Sequence, residues 1–189
     1  MSITSRLILS MLSLSVPFIA VAAEAPPHVM SMSASDQNSP LVSKVRKATA
    51  QFKDINAALA AGFAQATPCV SGPDFGAMGV HFVLMPRITA GTLNATEPEA
   101  LIYEPMANGA FRLVGVEFII LAQVWQTQIP KGSIAAPELE GHLMNFVDFP
   151  NRYGLPAFYE LHVWAWEQNP VGSFADWNTQ VTCDQQATS

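Results

Sequence analysis

Hydrophobic and polar positions divide the chain into one helical segment followed by several strand-like segments. From residue 41 to about 66, apolar residues recur at spacings of three and four, which predicts an amphipathic helix. Its apolar stripe comprises Leu41, Val45, Phe52, Ile55 and Leu59. Ser39 and Pro40 are suited to the start of this helix. A stripe this broad needs a partner of similar size, so we expect the helix to pack on a sheet.

Later segments are rich in β-branched and aromatic residues, which predicts strands. These segments are residues 78–85, 100–104, 111–121 and 158–166. Asn108-Gly109 is a strong turn signal and predicts a hairpin over residues 100–120. The connecting segments are interpreted as loops at 86–99 and 126–136 and as a short helix at 137–147.

Short connections favour antiparallel pairing of the strands. We therefore predict an α+β domain in which the N-terminal amphipathic helix packs on a mostly antiparallel sheet of four or five strands. The alternation of polar and apolar residues does not distinguish an open sheet from one closed in a barrel-like manner.

The N-terminus has the pattern of an export signal. Arg6 precedes an apolar run that ends in Ala20-Val21-Ala22-Ala23, a typical signal-peptidase pattern. The strongly apolar part is short for a bilayer span, which needs about 20 residues, so a cleaved signal is favoured over an anchor. We predict a signal peptide at 1–23, a flexible linker at 24–39 and a single globular domain at 40–189. The mature protein would be periplasmic or extracellular.

Charge and composition limit the classes of partner that the protein is expected to bind. The formal net charge is −6, which disfavours nucleic acid and, after signal cleavage, anionic membranes as partners. Half of the residues are hydrophobic and only 13% are charged, a balance compatible with an oligomer interface or an apolar cavity. A small molecule or a metal ion is the expected ligand.

Two cysteines, Cys69 and Cys183, are present in the chain. In an exported protein with an even cysteine count, a disulfide is the default interpretation. Two metal thiolates are the alternative, but no CxxC spacing supports them.

Candidate chemistry comes from polar residues inside apolar strands. Glu117 is the only charged residue between Leu113 and Leu121. A buried carboxylate is costly unless it gains a cation, a metal or several hydrogen bonds. The last predicted strand places Glu160, His162, Trp164 and Trp166 on one face by alternation.

Two histidines with one or two carboxylates are a common ligand set for zinc, copper, iron or manganese. We therefore predict a metal site formed by His81, Glu117 and His162, with Glu104 and Glu160 as further candidate ligands. No known catalytic motif is present, so no catalytic residue is assigned. One alternative is a purely structural network of buried polar residues. Another is a non-catalytic binding or interaction module, with a pocket or interface lined by Phe158, Trp164 and Trp166.

Several short motifs carry a resemblance. They are Gly79-Val80-His81-Phe82, Leu101-Ile102-Tyr103-Glu104-Pro105, Val114-Gly115-Val116-Glu117-Phe118 and, above all, residues 154–166 (GLPAFYELHVWAW), followed by Phe174-Ala175-Asp176-Trp177-Asn178 and Cys183. With them, most of the mature chain resembles a family of uncharacterised exported bacterial proteins. The resemblance implies a single secreted domain and no particular activity.

Overall fold

The structure, a computed structural model, describes residues 38–186. The predicted signal peptide and nearly all of the predicted linker lie outside the described residues. Within residues 38–186, no helix combines the length and apolar character needed to cross a bilayer.

The helical segment begins at Pro40 and is interrupted by a short 3-10 turn. Its parts are α1 (Pro40–Thr49), a 3-10 turn (Ala50–Lys53) and α2 (Ile55–Ala60). The Ser39 side chain caps α1 by accepting a hydrogen bond from the Val42 N–H at 3.1 Å. One continuous helix over 41–66 was therefore the wrong prediction. Asp54 breaks it, because its extended backbone and its carboxylate, which accepts from the Asn56 N–H, start a new helix.

The strands form one open, antiparallel sheet of seven strands. They are β1 (Ala64–Gln65), β2 (Val70–Gly72), β3 (Gly76–Val83), β4 (Ala100–Pro105), β5 (Phe111–Leu121), β8 (Asn145–Val147) and β9 (Phe158–Val163). Their order is β1-β3-β4-β5-β9-β8, with β2 also paired to β3. The predicted hairpin is confirmed as β4 and β5, and Asn108 and Gly109 at its tip adopt positive φ angles. A barrel is not formed.

The connections differ from the predicted loops and helix. Residues 86–99 include most of α3 (Met85–Ala90), and α4 (Ala122–Gln128) extends into the predicted loop at 126–136. The short helix predicted at 137–147 is absent. That segment forms the ribbon β6 (Glu138–Leu139) and β7 (His142–Leu143), followed by β8. Glu140 and Gly141 adopt positive φ angles between the two strands of the ribbon, a backbone that a helix cannot continue through.

The sheet has two apolar faces. One face packs against α1 and the 3-10 turn, where Leu41, Val45 and Phe52 join side chains of β3, β4, β5 and β9 in the main core. The C-terminal segment that follows β9 covers part of the opposite face. The loop that precedes β9 covers another part and contributes Tyr153 and Leu155. The predicted disulfide between Cys69 and Cys183 is confirmed, with Cα atoms 5.6 Å apart.

The two ends of the helical segment differ sharply in burial. Leu41 is 1% exposed, whereas Leu59, which the periodicity placed on the same stripe, is 50% exposed. The break at Asp54 turns α2 relative to α1, so the stripe is not continuous.

Truncation of these two leucines should therefore have unequal effects. We expect Leu41→Ala to lower the free energy of unfolding by about 3 kcal/mol, because it removes a buried side chain and leaves a cavity. The matched control, Leu59→Ala, should cost only about 0.5 kcal/mol. Urea denaturation of both variants measures the difference, and equal losses would contradict the burial of α1.

Candidate metal centre

Three strands place His81, Glu117 and His162 on the sheet face opposite α1. Glu117 of β5 and His162 of β9 are directly paired across neighbouring strands. His81 lies on β3, with β4 between it and β5. Side chains two strands apart start about 10 Å from each other. His81 pairs with Ile102 and Glu117 pairs with Ala100, so the two side chains approach each other diagonally across β4.

The three side chains form a compact, fully buried group, which we call the inner triad. The Nε2 atom of His81 lies 3.4 Å from Oε2 of Glu117, and all three residues have no exposed surface. One donor atom from each residue lies within 4.8 Å of the other two. Ligands held 2.0–2.2 Å from one ion lie at most about 4.4 Å apart, so movements below about 1 Å would close the triad around a metal.

The inner triad contains an unusual concentration of polar atoms that make no hydrogen bond with the protein. They are Nε2 of His81, both carboxylate oxygens of Glu117 and both ring nitrogens of His162. The hydroxyl of Tyr153, whose ring is 5.4 Å from that of His81, is another. Since buried polar groups in proteins are nearly always satisfied, each such atom requires an explanation.

Thr67 fixes the orientation of His81. Its Oγ1 atom lies 3.3 Å from Nδ1 of His81 and also accepts a hydrogen bond from the His81 N–H. When Nδ1 carries the ring proton and donates it to Thr67, the lone pair of Nε2 points into the triad. Hydrogen bonds of this kind to the second ring nitrogen are typical of histidine ligands.

Burial favours the neutral forms of Glu117 and His81 in the absence of a cation. It raises the pKa of Glu117 well above its ordinary value, and the nearby charge of Glu160 adds to this effect. It also lowers the pKa of His81 well below its ordinary value, with further contributions from His162 and Arg152. A protonated Glu117 and a neutral His81 are thus favoured.

A second group of donors, which we call the outer group, shares His162 with the inner triad. It consists of Glu160, His162 and Asp176, whose donor atoms also lie within 4.8 Å of one another. The Nδ1 atom of His162 is 3.6 Å from Oδ1 of Asp176, and the nearby ring lowers the pKa of Asp176. Asn145 donates a hydrogen bond to the same Asp176 oxygen at 3.1 Å.

The outer group borders a depression that is open to solvent. Glu160 and Asp176 line an open depression of about 520 Å³, whose rim also includes Asn145, Asp148, Asn151 and Arg152. Glu160 is nearly buried, whereas about a third of the Asp176 side chain is exposed. The depression is therefore lined by the two carboxylates of the outer group, whereas His162 is buried behind its wall.

Glu104, the remaining predicted candidate ligand, lies outside both the inner triad and the outer group. Its carboxylate pairs with Arg112 and accepts a hydrogen bond from the Thr182 N–H at 2.9 Å. Arg112, the one basic residue in β5, supplies its counter-charge.

The three aromatic residues at the last predicted strand have different surroundings. Phe158 and Trp164 are fully buried in core clusters, and the Trp164 indole donates to the Ala175 carbonyl. Trp166 lies on the helix side instead of sharing a face with His162, because β9 ends at Val163. Its Nε1 donates to the Thr49 hydroxyl at 3.0 Å.

The sequence pattern missed Asp176, Thr67 and a further buried carboxyl, Glu99. Asp176 stands in a turn-like segment with no strand periodicity, so its position beside His162 has no local signal. Glu99 precedes β4 and accepts a hydrogen bond from the Ile119 N–H at 3.0 Å. Burial raises the pKa of Glu99 from about 4.5 to about 7.

The raised pKa of Glu99 predicts a pH-dependent stability. A protonated Glu99 favours the folded state, so its contribution is complete below about pH 4.5 and is lost as the pH rises through about 7. The loss approaches about 3 kcal/mol, at about 1.4 kcal/mol per pKa unit. Glu99→Gln should remove this pH-dependent loss of stability. Urea denaturation across this pH range should show the wild type losing stability relative to the variant, and a constant difference would contradict the assignment.

Comparison with known proteins gives no match: no family model, no curated protein and no solved structure is similar to the chain. The resemblance to exported bacterial proteins therefore stays a prediction. The geometry of the inner triad carries the functional proposal.

Proposed function

We propose that this protein is an exported domain that binds one divalent transition-metal ion through His81, Glu117 and His162. The observation that carries the proposal is the set of buried donor atoms without hydrogen bonds in the inner triad. An unsatisfied buried polar atom costs about 1–3 kcal/mol. A single bound cation would use the lone pairs of both histidines and of the carboxylate at once.

The donor types select the class of metal. Imidazole nitrogens suit zinc, iron, copper and nickel, whereas calcium and magnesium prefer oxygen ligands. Two histidines and one glutamate occur both in zinc sites and in non-haem iron sites, where they leave coordination positions for other ligands. Carboxylates also suit manganese, so zinc, iron, copper and manganese are the candidates that we would test.

The surroundings of the triad suit this role. Thr67 orients His81, as an outer hydrogen bond to a ligating histidine should. A bound cation would also replace the proton on Glu117, since both compete for the same carboxylate oxygens. These features favour metal binding over the structural alternative, because the 3.4 Å approach of His81 to Glu117 does not satisfy hydrogen-bond geometry.

Export is part of the proposal. The disulfide between Cys69 and Cys183 is compatible with an oxidising compartment. The signal-peptide pattern at residues 1–23 points in the same direction. Detection of the mature protein, cleaved near residue 23, in the periplasm or culture medium would test it, and an uncleaved cytosolic chain would overturn it.

Elemental analysis of protein purified without chelators tests metal binding. We expect about one zinc, iron, copper or manganese ion per chain, or one after supplementation and dialysis. His162→Ala should lose most of this metal, because it removes a ligand from the inner triad. The control is His142→Ala, since His142 belongs to neither donor group and stacks on Phe174 instead. Wild-type protein that binds none of the four metals, or equal loss in both variants, would overturn the proposal.

A further inference from the structure

An ion in the inner triad needs a route from solvent, because all three side chains are completely buried. The open depression beside Glu160 and Asp176 ends at the outer group. The outer group also contains His162, the one residue common to both sets of donors.

We propose that Glu160, His162 and Asp176 form a transient loading site through which a metal ion passes on its way to the inner triad. This inference rests on the proposed function of the inner triad and adds the route and the residues that serve it. The ion would first bind the two carboxylates at the foot of the depression. It would then exchange them for His81 and for Glu117, whose proton passes to one of the released carboxylates, while one nitrogen of His162 stays bound to the ion.

The geometry of His162 supports a role on both sides. Its two ring nitrogens are fully buried and neither makes a hydrogen bond with the protein. Its Nδ1 atom is directed to Asp176 at 3.6 Å, and its neighbour across the strand pair is Glu117. A neutral imidazole has one lone pair and one N–H, so His162 can keep one nitrogen on the ion while the carboxylates on its two sides exchange.

The position of Glu160 supports the same route. Glu160 and His162 are two residues apart on β9, so both side chains stand on the same sheet face. Glu160 lines the depression and pairs across the strands with Ile119, two residues along β5 from Glu117. Negative charge at the foot of a cleft raises the association rate of cations by about 10-fold to 1,000-fold.

The test compares the rates of metal binding and release. Stopped-flow mixing of the apo protein with Co²⁺ can be followed by tryptophan fluorescence, since the Trp164 ring stacks 6.2 Å from the His162 ring. We expect Asp176→Asn to lower the association rate about tenfold. Because the same route serves release, the dissociation rate should fall in parallel, and the affinity at equilibrium should change far less. Glu160→Gln should behave in the same way and provides a second, independent variant.

Asp148→Asn is the matched control. Asp148 lines the same depression but belongs to neither donor group, and its carboxylate accepts a hydrogen bond from the Phe149 N–H. The control should change both rates less than about twofold.

The possible outcomes separate this inference from the proposed function. If the wild type binds no Co²⁺ or other metal, the proposed function itself fails. If the wild type binds metal but Asp176→Asn and Glu160→Gln leave both rates unchanged, the loading site is wrong. Loss of affinity through faster release alone, equal slowing in Asp148→Asn, or two ions per wild-type chain falling to one in Asp176→Asn would also overturn the loading role.

Discussion

Replacement of Cys69 and Cys183 by serine is expected to lower the free energy of unfolding by about 4–5 kcal/mol. The bridge joins residues separated by 114 positions, and in the chain-entropy model a loop of about this length contributes that amount. It ties the C-terminal segment, which covers the sheet face of the inner triad, to the start of β2. Loss of the disulfide should therefore free both the end of the chain and the C-terminal segment that covers the inner triad.

Urea denaturation of the double serine variant measures this effect. Wild-type protein under reducing conditions provides the comparison, and it should approach the stability of the variant once the bridge is reduced. Thiol titration of the unfolded, unreduced mature wild type should find no free cysteine, since the two thiols are joined. A loss below about 1 kcal/mol would show that packing alone holds the C-terminal segment and would contradict a stabilising role for the bridge.

Metal binding should stabilise the wild-type fold by about 4 kcal/mol when the free ion is present at about 1,000 times its dissociation constant. Glu117→Gln should abolish most of this increment, because an amide is a far weaker metal ligand than a carboxylate. Without metal, the variant should be about as stable as the wild type, since the raised pKa of Glu117 favours a neutral acid of the same size and shape.

Glu104→Gln is the control for this second prediction. It changes a carboxylate in a neighbouring strand that pairs with Arg112 and contacts neither donor group. The metal-dependent increment should be retained in this variant, whatever its own stability. Equal increments in Glu117→Gln and the wild type, measured by thermal or urea denaturation, would exclude Glu117 as a ligand.

The parts of the fold that the sequence predicted are those with a strong local signal. β5 matches the predicted bounds of 111–121, because a long apolar run follows the Asn108-Gly109 turn. The disulfide followed from the even cysteine count in a chain with a predicted export signal. Strand alternation also placed Glu160 and His162 on one face, as the structure has them.

Other parts depend on contacts that no local pattern encodes. Asp54 breaks the helical segment because its side chain caps a new helix, whereas periodicity alone continues through it. Asp176 reaches the outer group only because the segment after β9 folds back over the sheet. Glu104 sits in a strand as His81 and Glu117 do, but Arg112 on the neighbouring strand neutralises it. The partner of a buried charge is set by tertiary register, which a single sequence does not show.

The most direct test of the central claim is a crystal structure of the metal-loaded protein with diffraction data collected on both sides of the metal's absorption edge. Metal binding by the inner triad predicts one strong anomalous peak between β3, β5 and β9, about 2.0–2.2 Å from Nε2 of His81, a Glu117 oxygen and a His162 nitrogen. A structure of protein soaked in excess metal with no peak at this position, or with peaks only at surface residues such as His142, would contradict it.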